Sequence, residues 1–380
     1  MTASPRLQVG SLASGYVAAG LFWGALAAAA PDIQDRAGLG PAAFGLALAT
    51  LSLAAFPVMR SVGARIHRNR RVAIPAALLA FAAGCLILSV ARGAVAVTAA
   101  LAVLGGASGA LDLSLNLRTD RVEKDTGRRL FNLTHAIYPL TMLVSSAATG
   151  LARGLGAGPG AIFPVVAAAF FLVAAIEARA GAHQKAERDG RARPRPVPLT
   201  GGILVLGALA AMASFQEVAP QNWAAIFVED ARGAGPVLAG LAPAAFTLGM
   251  GLGRVGAHWA EDRIAPRRLL RAASAFSVAG FVAVALPVPP LGVLLACLIA
   301  GIGVGPVEPA VFRAAARRAT GPMQGRVLAS VTSVAYLGYL LSPPVLGLVA
   351  DGLGWPALWL SAAAVAVAVP VVAGRLPARD

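Results

Sequence analysis

The chain has 380 residues, of which 58% are apolar and 13% charged, with a mean hydropathy of +0.73. One soluble core could not bury that much apolar surface, so an ordinary soluble globule is excluded and an all-α polytopic membrane protein is expected. The formal net charge of +15 raises nucleic acid as a partner, and the placement of the cations removes it.

One helical crossing of a bilayer takes roughly 20 residues. Twelve apolar runs of that kind lie between charged or Pro/Gly-rich breaks, beginning near Leu12, Pro41, Val72, Val95, Leu133, Gly160, Leu199, Pro236, Leu269, Leu291, Val327 and Trp355. With the N-terminus placed in the cytoplasm, 28 of the 32 Lys and Arg fall in cytoplasmic segments and 4 in outer loops. That asymmetry is the positive-inside distribution, so both termini are expected to be cytoplasmic. Arg outnumbers Lys 30 to 2 among abundant Ala and Gly, a composition that points to a bacterial inner membrane. Bilayer lipid is the expected surrounding partner.

The first run, Leu12 to Ala30, ends Ala-Ala-Ala-Ala-Pro as a cleaved signal would. Its length and its counterpart in the second half read instead as a span. It carries Tyr16 and Trp23, candidates for an apolar, stacking wall of a substrate site.

The fourth run holds Leu104-Gly-Gly-Ala-Ser-Gly-Ala-Leu-Asp112-Leu-Ser-Leu-Asn116. A carboxylate inside an apolar run is costly and points to function. Gly105, Gly109 and Asp112 return as Gly301, Gly305 and Glu308 at an offset of 196. Asp35, Gly38, Gly40, Pro41 and Gly45 likewise return as Asp230, Gly233, Gly235, Pro236 and Gly240 at an offset of 195, and Gly154-Leu-Gly156 as Gly352-Leu-Gly354 at 198. Two six-span halves in parallel orientation follow, over 1–176 and 199–380, joined by a basic cytoplasmic linker over 177–198.

Helix rise places Asp112 and Glu308 about 25 Å from the outer ends of their spans. His135, early in the fifth run, is expected at a similar depth, with Asn116 one turn from Asp112. Asp112, Asn116 and His135 then have two readings that the sequence leaves open. Either a proton is taken up and released there, or the groups satisfy one another across a helix contact and close an inner gate.

The seventh run, Leu199 to Val228, is 30 residues long and contains Gln216, Glu217, Pro220, Gln221 and Asn222. A helix broken near Pro220, with a carboxylate and amides lining a cavity, is the expected substrate site. The alternative is that Glu217 marks the outer end of the helix.

No phosphate-binding G-x-x-x-x-G-K-[ST] occurs, so no ATPase is expected. Cys85 and Cys297 both lie within spans, leaving no disulfide framework, metal site or cofactor to expect. Gly106-Ala107-Ser108-Gly109 resembles the nucleophile motif of rhomboid proteases. Ser108, however, falls in the duplicated glycine pattern with Val304 as its counterpart, which argues for close helix packing.

The loop after the second span reads Gly63-Ala-Arg65-Ile-His67-Arg68-Asn-Arg70-Arg71, and that after the eighth reads His258-Trp-Ala-Glu261-Asp262-Arg263-Ile-Ala-Pro-Arg267-Arg268. These loops, with the 6 + 6 layout, resemble the major facilitator superfamily over essentially the whole chain. The departures are His67 where the family has Asp, and His258 and Ala265 where it has Gly. The resemblance implies a monomeric, non-enzymatic carrier of a small-molecule substrate, working by alternating access around spans one, four, seven and ten. It implies an inner gate at Gly63, Arg68, Asp262, Arg263 and Arg267, with Glu308 pairing to Arg263 or Arg267. Asp112 through Asn116, with Glu123, Gly127-Arg128-Arg129 and Asn132 to Tyr138, is similar to the fucose-permease-like branch, as is Glu217 to Trp223. Pro139, with no glycine after it, departs from that branch. The narrower resemblance implies a polar, sugar-like solute with the proton as coupling ion. Efflux of amphipathic compounds is the alternative, and a transporter-fold sensor a remote one.

Overall fold

The computed structural model describes residues 5–65, 70–127, 130–181, 200–260, 263–319 and 322–375. They form thirteen helices: α1 (Pro5–Ala37), α2 (Pro41–Arg65), α3 (Arg70–Val90), α4 (Gly93–Thr126), α5 (Phe131–Gly154), α6 (Pro159–Gly181), α7 (Gly201–Asp230), α8 (Pro236–Ala260), α9 (Pro266–Ala285), α10 (Pro290–Val304), α11 (Val307–Arg317), α12 (Pro322–Leu353) and α13 (Trp355–Ala373). Eleven stretches among the described residues are long and apolar enough to cross a membrane, and one of them, Pro290–Arg317, takes in both α10 and α11. The other long helix is α5, studded with polar groups at Thr134, Tyr138, Thr141, Ser145 and Thr149. The protein is thus an all-α polytopic membrane protein, and its many exposed leucines and valines, such as Leu140, Val144 and Leu151 on α5, are surface suited to lipid.

Proline begins many of these helices because a first-turn residue needs no N–H donor. Glycine ends several of them. Gly38 and Gly233 turn the chain out of α1 and α7 at φ +64° and +61°, and Gly156 and Gly354 do so after α5 and α12 at φ +92° and +84°. These are the glycines duplicated in the sequence, so the repeat preserves the left-handed helix exits that glycine adopts without strain.

Two compact units result, one of Met1–Leu39 with Thr50–Gly190, the other of Gly40–Ala49 with Arg191–Asp380. In the first, α1 packs on α5 and α3 on α4 and α6; in the second, α7 packs on α12, α8 on α10, and α9 on α10 and α13. The duplicated glycines explain part of this pairing. A Cβ at Gly105 or Gly109 would collide with the backbone of Leu51 or Ala55 on α2. In the second unit a Cβ at Gly301 or Gly305 would meet Phe246 or Met250 on α8, which are Leu51 and Ala55 shifted by 195. Small residues allow the backbone approach on which packing in lipid depends.

Two local expectations are corrected. α7 is one continuous helix through Pro220, because Pro220 removes only its own N–H and buried neighbours on both sides hold the remaining turns. The interruption lies in the tenth span instead, where α10 ends at Val304 and α11 begins at Val307. The expected linker also begins too early, since Glu177 belongs to the last turns of α6 and is only 2% exposed. Linker residues 182–199 lie outside the described residues.

Candidate functional site

The interruption in the tenth span organises the polar centre of the second unit. Gly305 and Pro306 keep right-handed helical dihedrals, so what is missing there is hydrogen bonding. In a regular helix the Gly305 carbonyl would accept from the N–H of residue 309, and residue 309 is a proline. Arg254 on α8 takes that place, its Nε donating to the Gly305 oxygen at 3.2 Å. The charge of the same guanidinium bears on Glu217 of α7 and Glu308 of α11, and those two carboxylates bear on each other. Gln221, one turn beyond Glu217, donates through Nε2 to Glu217 Oε1 at 3.4 Å. All four side chains are half-buried.

Glu308 therefore lies within electrostatic range of Arg254 and Glu217 without a direct ion pair to either, and the expected pairing with Arg263 or Arg267 does not form. Arg263 instead donates to the Trp259 carbonyl at 3.2 Å, and Arg267 lines a crevice with Leu206, Leu209, Leu270, Val311 and Ala314. Position along a span did not reveal the Glu217–Glu308 meeting, because α7 at 30 residues is longer than the bilayer core and linear depth counts drift along it.

The first unit builds a different cluster around the duplicated acid. Tyr16 on α1 is 5% exposed, and its hydroxyl lies 3.1 Å from Thr119 Oγ1 and 3.3 Å from Asn116 Oδ1 on α4, with Thr134 of α5 also bonded to it. Asn116 Nδ2 donates to Asp112 Oδ1 at 3.0 Å, and Asp112 is exposed. Tyr16 thus joins Asp112 and Asn116 through hydrogen bonds; it was expected to offer a stacking face. His135 lies on α5, its side chain outside the described residues. Glu217, Gln221 and Arg254 stand where this half has Phe22, Leu26 and Met59, while Tyr16 and Asn116 correspond to Ala211 and Phe312. The two halves share the acid and little else of its setting.

Other expected substrate groups separate by burial. Gln216 is 1% exposed and donates to the Met212 carbonyl at 3.0 Å, so its amide is bonded back into its own helix. Asn222 and Trp23 are half-buried, Trp23 edge-on to Phe22 at 5.3 Å. Trp223 is wholly buried against Phe44 and Trp355. Of the signature-loop residues, Gly63 lies in α2 and Arg263 and Arg267 are described, whereas Arg68 and Asp262 lie outside the described residues.

The first unit also holds two ion pairs, one buried and one shielded on one side, that the sequence does not announce. Arg118 on α4 pairs with Glu177 on α6, and Ser11 on α1 bonds both partners. Arg153 on α5 grips Asp32 on α1 and also donates to the Ala28 carbonyl at 2.9 Å. An arginine and a glutamate just inside the ends of apolar runs were the available signal. Charges near span ends are ordinarily headgroup contacts, and the expected linker takes in Glu177. In the second unit the positions matching Ser11 and Arg118 are Leu206 and Ala314, both on the apolar crevice that Arg267 enters. Among the described residues no group of three His, Cys, Asp or Glu is placed to hold a metal ion.

The sequence model of the Major Facilitator Superfamily matches residues 12–329, and again 224–380. The chain belongs to that superfamily. It is a multi-pass transporter and not an enzyme, which removes the protease reading of Ser108. An uncharacterised MFS-type transporter of Yersinia pestis is 26% identical over 344 residues, 88% of this chain and 87% of the relative. The membrane protein MosC of Rhizobium meliloti is 24% identical over 96% of this chain and 89% of its own length. The multidrug efflux pump Tap of Mycobacterium tuberculosis is 32% identical over 148 residues, 38% of this chain and 34% of the pump. Among solved structures the nucleoside transporter NupG superposes with a TM-score of 0.78 at 11% identity, covering 96% of this chain and 97% of that one. At that identity NupG speaks for the fold alone.

Proposed function

We propose that this member of the superfamily is a proton-coupled carrier of a small polar solute, working by alternating access in a bacterial inner membrane with both termini cytoplasmic. The observation that carries the reading is that Glu217, Glu308 and Arg254 lie within electrostatic range of one another inside the second unit, with Gln221 bonded to Glu217 and Arg254 to the Gly305 carbonyl. Two carboxylates facing one guanidinium leave the site one positive charge short of balance, and uncompensated charge inside a bilayer is costly. A proton supplies that charge, and its arrival and departure are what a coupling site needs. Gln221, bonded to Glu217, adds an amide donor and acceptor beside the carboxylate, and half-buried Asn222 is the next residue on α7, polar equipment of the kind a hydroxyl-rich solute requires.

The reading is tested by thermal-shift screening of the purified protein against sugars, sugar acids, nucleosides and cationic dyes, followed by uptake of the best stabiliser into proteoliposomes with and without a pH gradient. Stabilisation by a hydroxylated solute, with accumulation that collapses when a protonophore is added, is the expected result. Nucleosides belong in the screen because NupG is a nucleoside transporter of the same fold. Uptake indifferent to the gradient would sink the coupling. The cytoplasmic linker rests on the cation distribution and is tested by cysteine labelling near Arg188, expected only from the cytoplasmic face.

A second reading, efflux of amphipathic compounds, is favoured by the partial match to Tap. Stabilisation by cationic dyes alone, with export from inverted vesicles, would select it.

A further inference from the structure

We infer that Arg254 is a positioning residue that ties the ionic state of Glu217 and Glu308 to the joint between α10 and α11. Pro306 and Pro309 strip two N–H donors from this joint, while the backbone stays helical at Gly305 (φ −51°, ψ −43°) and Pro306 (φ −73°, ψ −22°). The joint is therefore a helix short of hydrogen bonds, which bends more easily than its neighbours. Arg254 Nε supplies the Gly305 carbonyl with the donor that Pro309 lacks.

The guanidinium is a rigid planar fork, so its Nε cannot hold a carbonyl without also fixing where its terminal nitrogens point. Those nitrogens carry the charge that bears on Glu217 and Glu308. When one carboxylate loses its charge, the guanidinium is drawn toward the other, and its hold on Gly305 changes with it. The contact between Gly305 and the Met250 backbone, one turn before Arg254, keeps α8 and α10 from separating to absorb that movement. The first unit has no such device: Met59, Ala110 and Leu113 stand at the positions of Arg254, Pro306 and Pro309, and α4 runs unbroken from Gly93 to Thr126.

This inference rests on the reading of Glu217 and Glu308 as the charged centre of the carrier. Its test contains no solute and no gradient, so its failure would leave the transport reading standing. Amide hydrogen exchange is measured on the purified full chain in detergent at one pH, for peptides covering α11. Glu217→Gln serves as the neutral form of a carboxylate on a different helix. In the wild-type background that change is expected to alter α11 exchange by about threefold or more, as local opening is re-balanced. In a Pro309→Ala background, which returns an N–H to the Gly305 carbonyl, the same change is expected to leave α11 exchange unaltered. An Arg254→Lys background, which keeps the charge without the fork, is expected to behave like Pro309→Ala. Should Arg254→Lys fail to fold, Pro309→Ala decides alone. No effect of Glu217→Gln in the wild-type background, or an undiminished effect in either altered background, overturns the inference.

Discussion

Arg153 holds Asp32 with two parallel bonds, Nε to Oδ2 at 2.8 Å and a terminal nitrogen to Oδ1 at 2.6 Å, fastening α5 to α1. The arginine side chain is 3% exposed and the aspartate 29%, so the pair is shielded on one side only. Arg153→Lys keeps the charge but cannot form the fork. Its expected cost is about 1.5–3 kcal/mol, the range for a charge-assisted hydrogen bond, read as a lower melting temperature of the detergent-purified protein. An unchanged melting temperature would show that the pair contributes nothing to the α1–α5 contact.

The Arg118–Glu177 pair is more deeply buried, at 7% and 2% exposure, and a different result is expected there. Removing one partner strands a charge, a cost of about 3–5 kcal/mol. Glu177→Gln alone is therefore expected to reduce the folded yield sharply, measured by size-exclusion chromatography. The double change Arg118→Met with Glu177→Leu is expected to recover most of that yield, because it strands no charge and deprives only the Ser11 hydroxyl of its partners. Equal losses in the single and double variants would mean that the pair sets a specific geometry that apolar packing cannot replace.

Glycines in the spans should divide into two classes. At Gly301 a Cβ would meet the Phe246 carbonyl, whereas at Gly251 and Gly256 a Cβ would meet nothing within 4 Å. Gly301→Ala is expected to push α8 and α10 apart and lower stability. Gly256→Ala is expected to be neutral or to raise stability by about 0.5–1 kcal/mol through helix propensity. Thermal melts of both variants check this, and a tolerated Gly301→Ala would refute the close α8–α10 approach.

Solute affinity should separate three acidic or amide positions. Glu217→Gln, at the charged centre, is expected to weaken binding of a solute identified by the thermal screen by about 1.5–3 kcal/mol. Gln216→Ala is expected to leave affinity unchanged, since that side chain is bonded into its own helix. Asp112→Asn is expected to change transport rate more than equilibrium affinity, through its bond to Asn116 and the Tyr16 network. Isothermal titration on the three variants measures it. Wild-type affinity in Glu217→Gln with lost affinity in Asp112→Asn would move the site to α4.

The sequence by itself determined the membrane class, the all-helical fold and the internal repeat. Each of these depends on local quantities: apolar run length, and glycines whose φ or bulk a position demands. Gly38 and Gly233, or Gly105 and Gly301, are legible because their reason is backbone geometry, and that geometry recurs at a constant offset. Only the tertiary structure decided which polar groups meet. Glu217 and Glu308 are 91 residues apart in the chain and sit on helices whose rotation and tilt depend on all their neighbours, so no count along one span brings them together. The same is true of Arg254, whose role arises from a carbonyl on another helix left without a donor by Pro309. Pro220 and Pro306 show the limit most directly. Each removes one N–H, yet α7 runs on through Pro220 whereas α10 ends at Val304, just before Pro306, because Pro309 strips a second donor from the same turn and Pro220 stands alone.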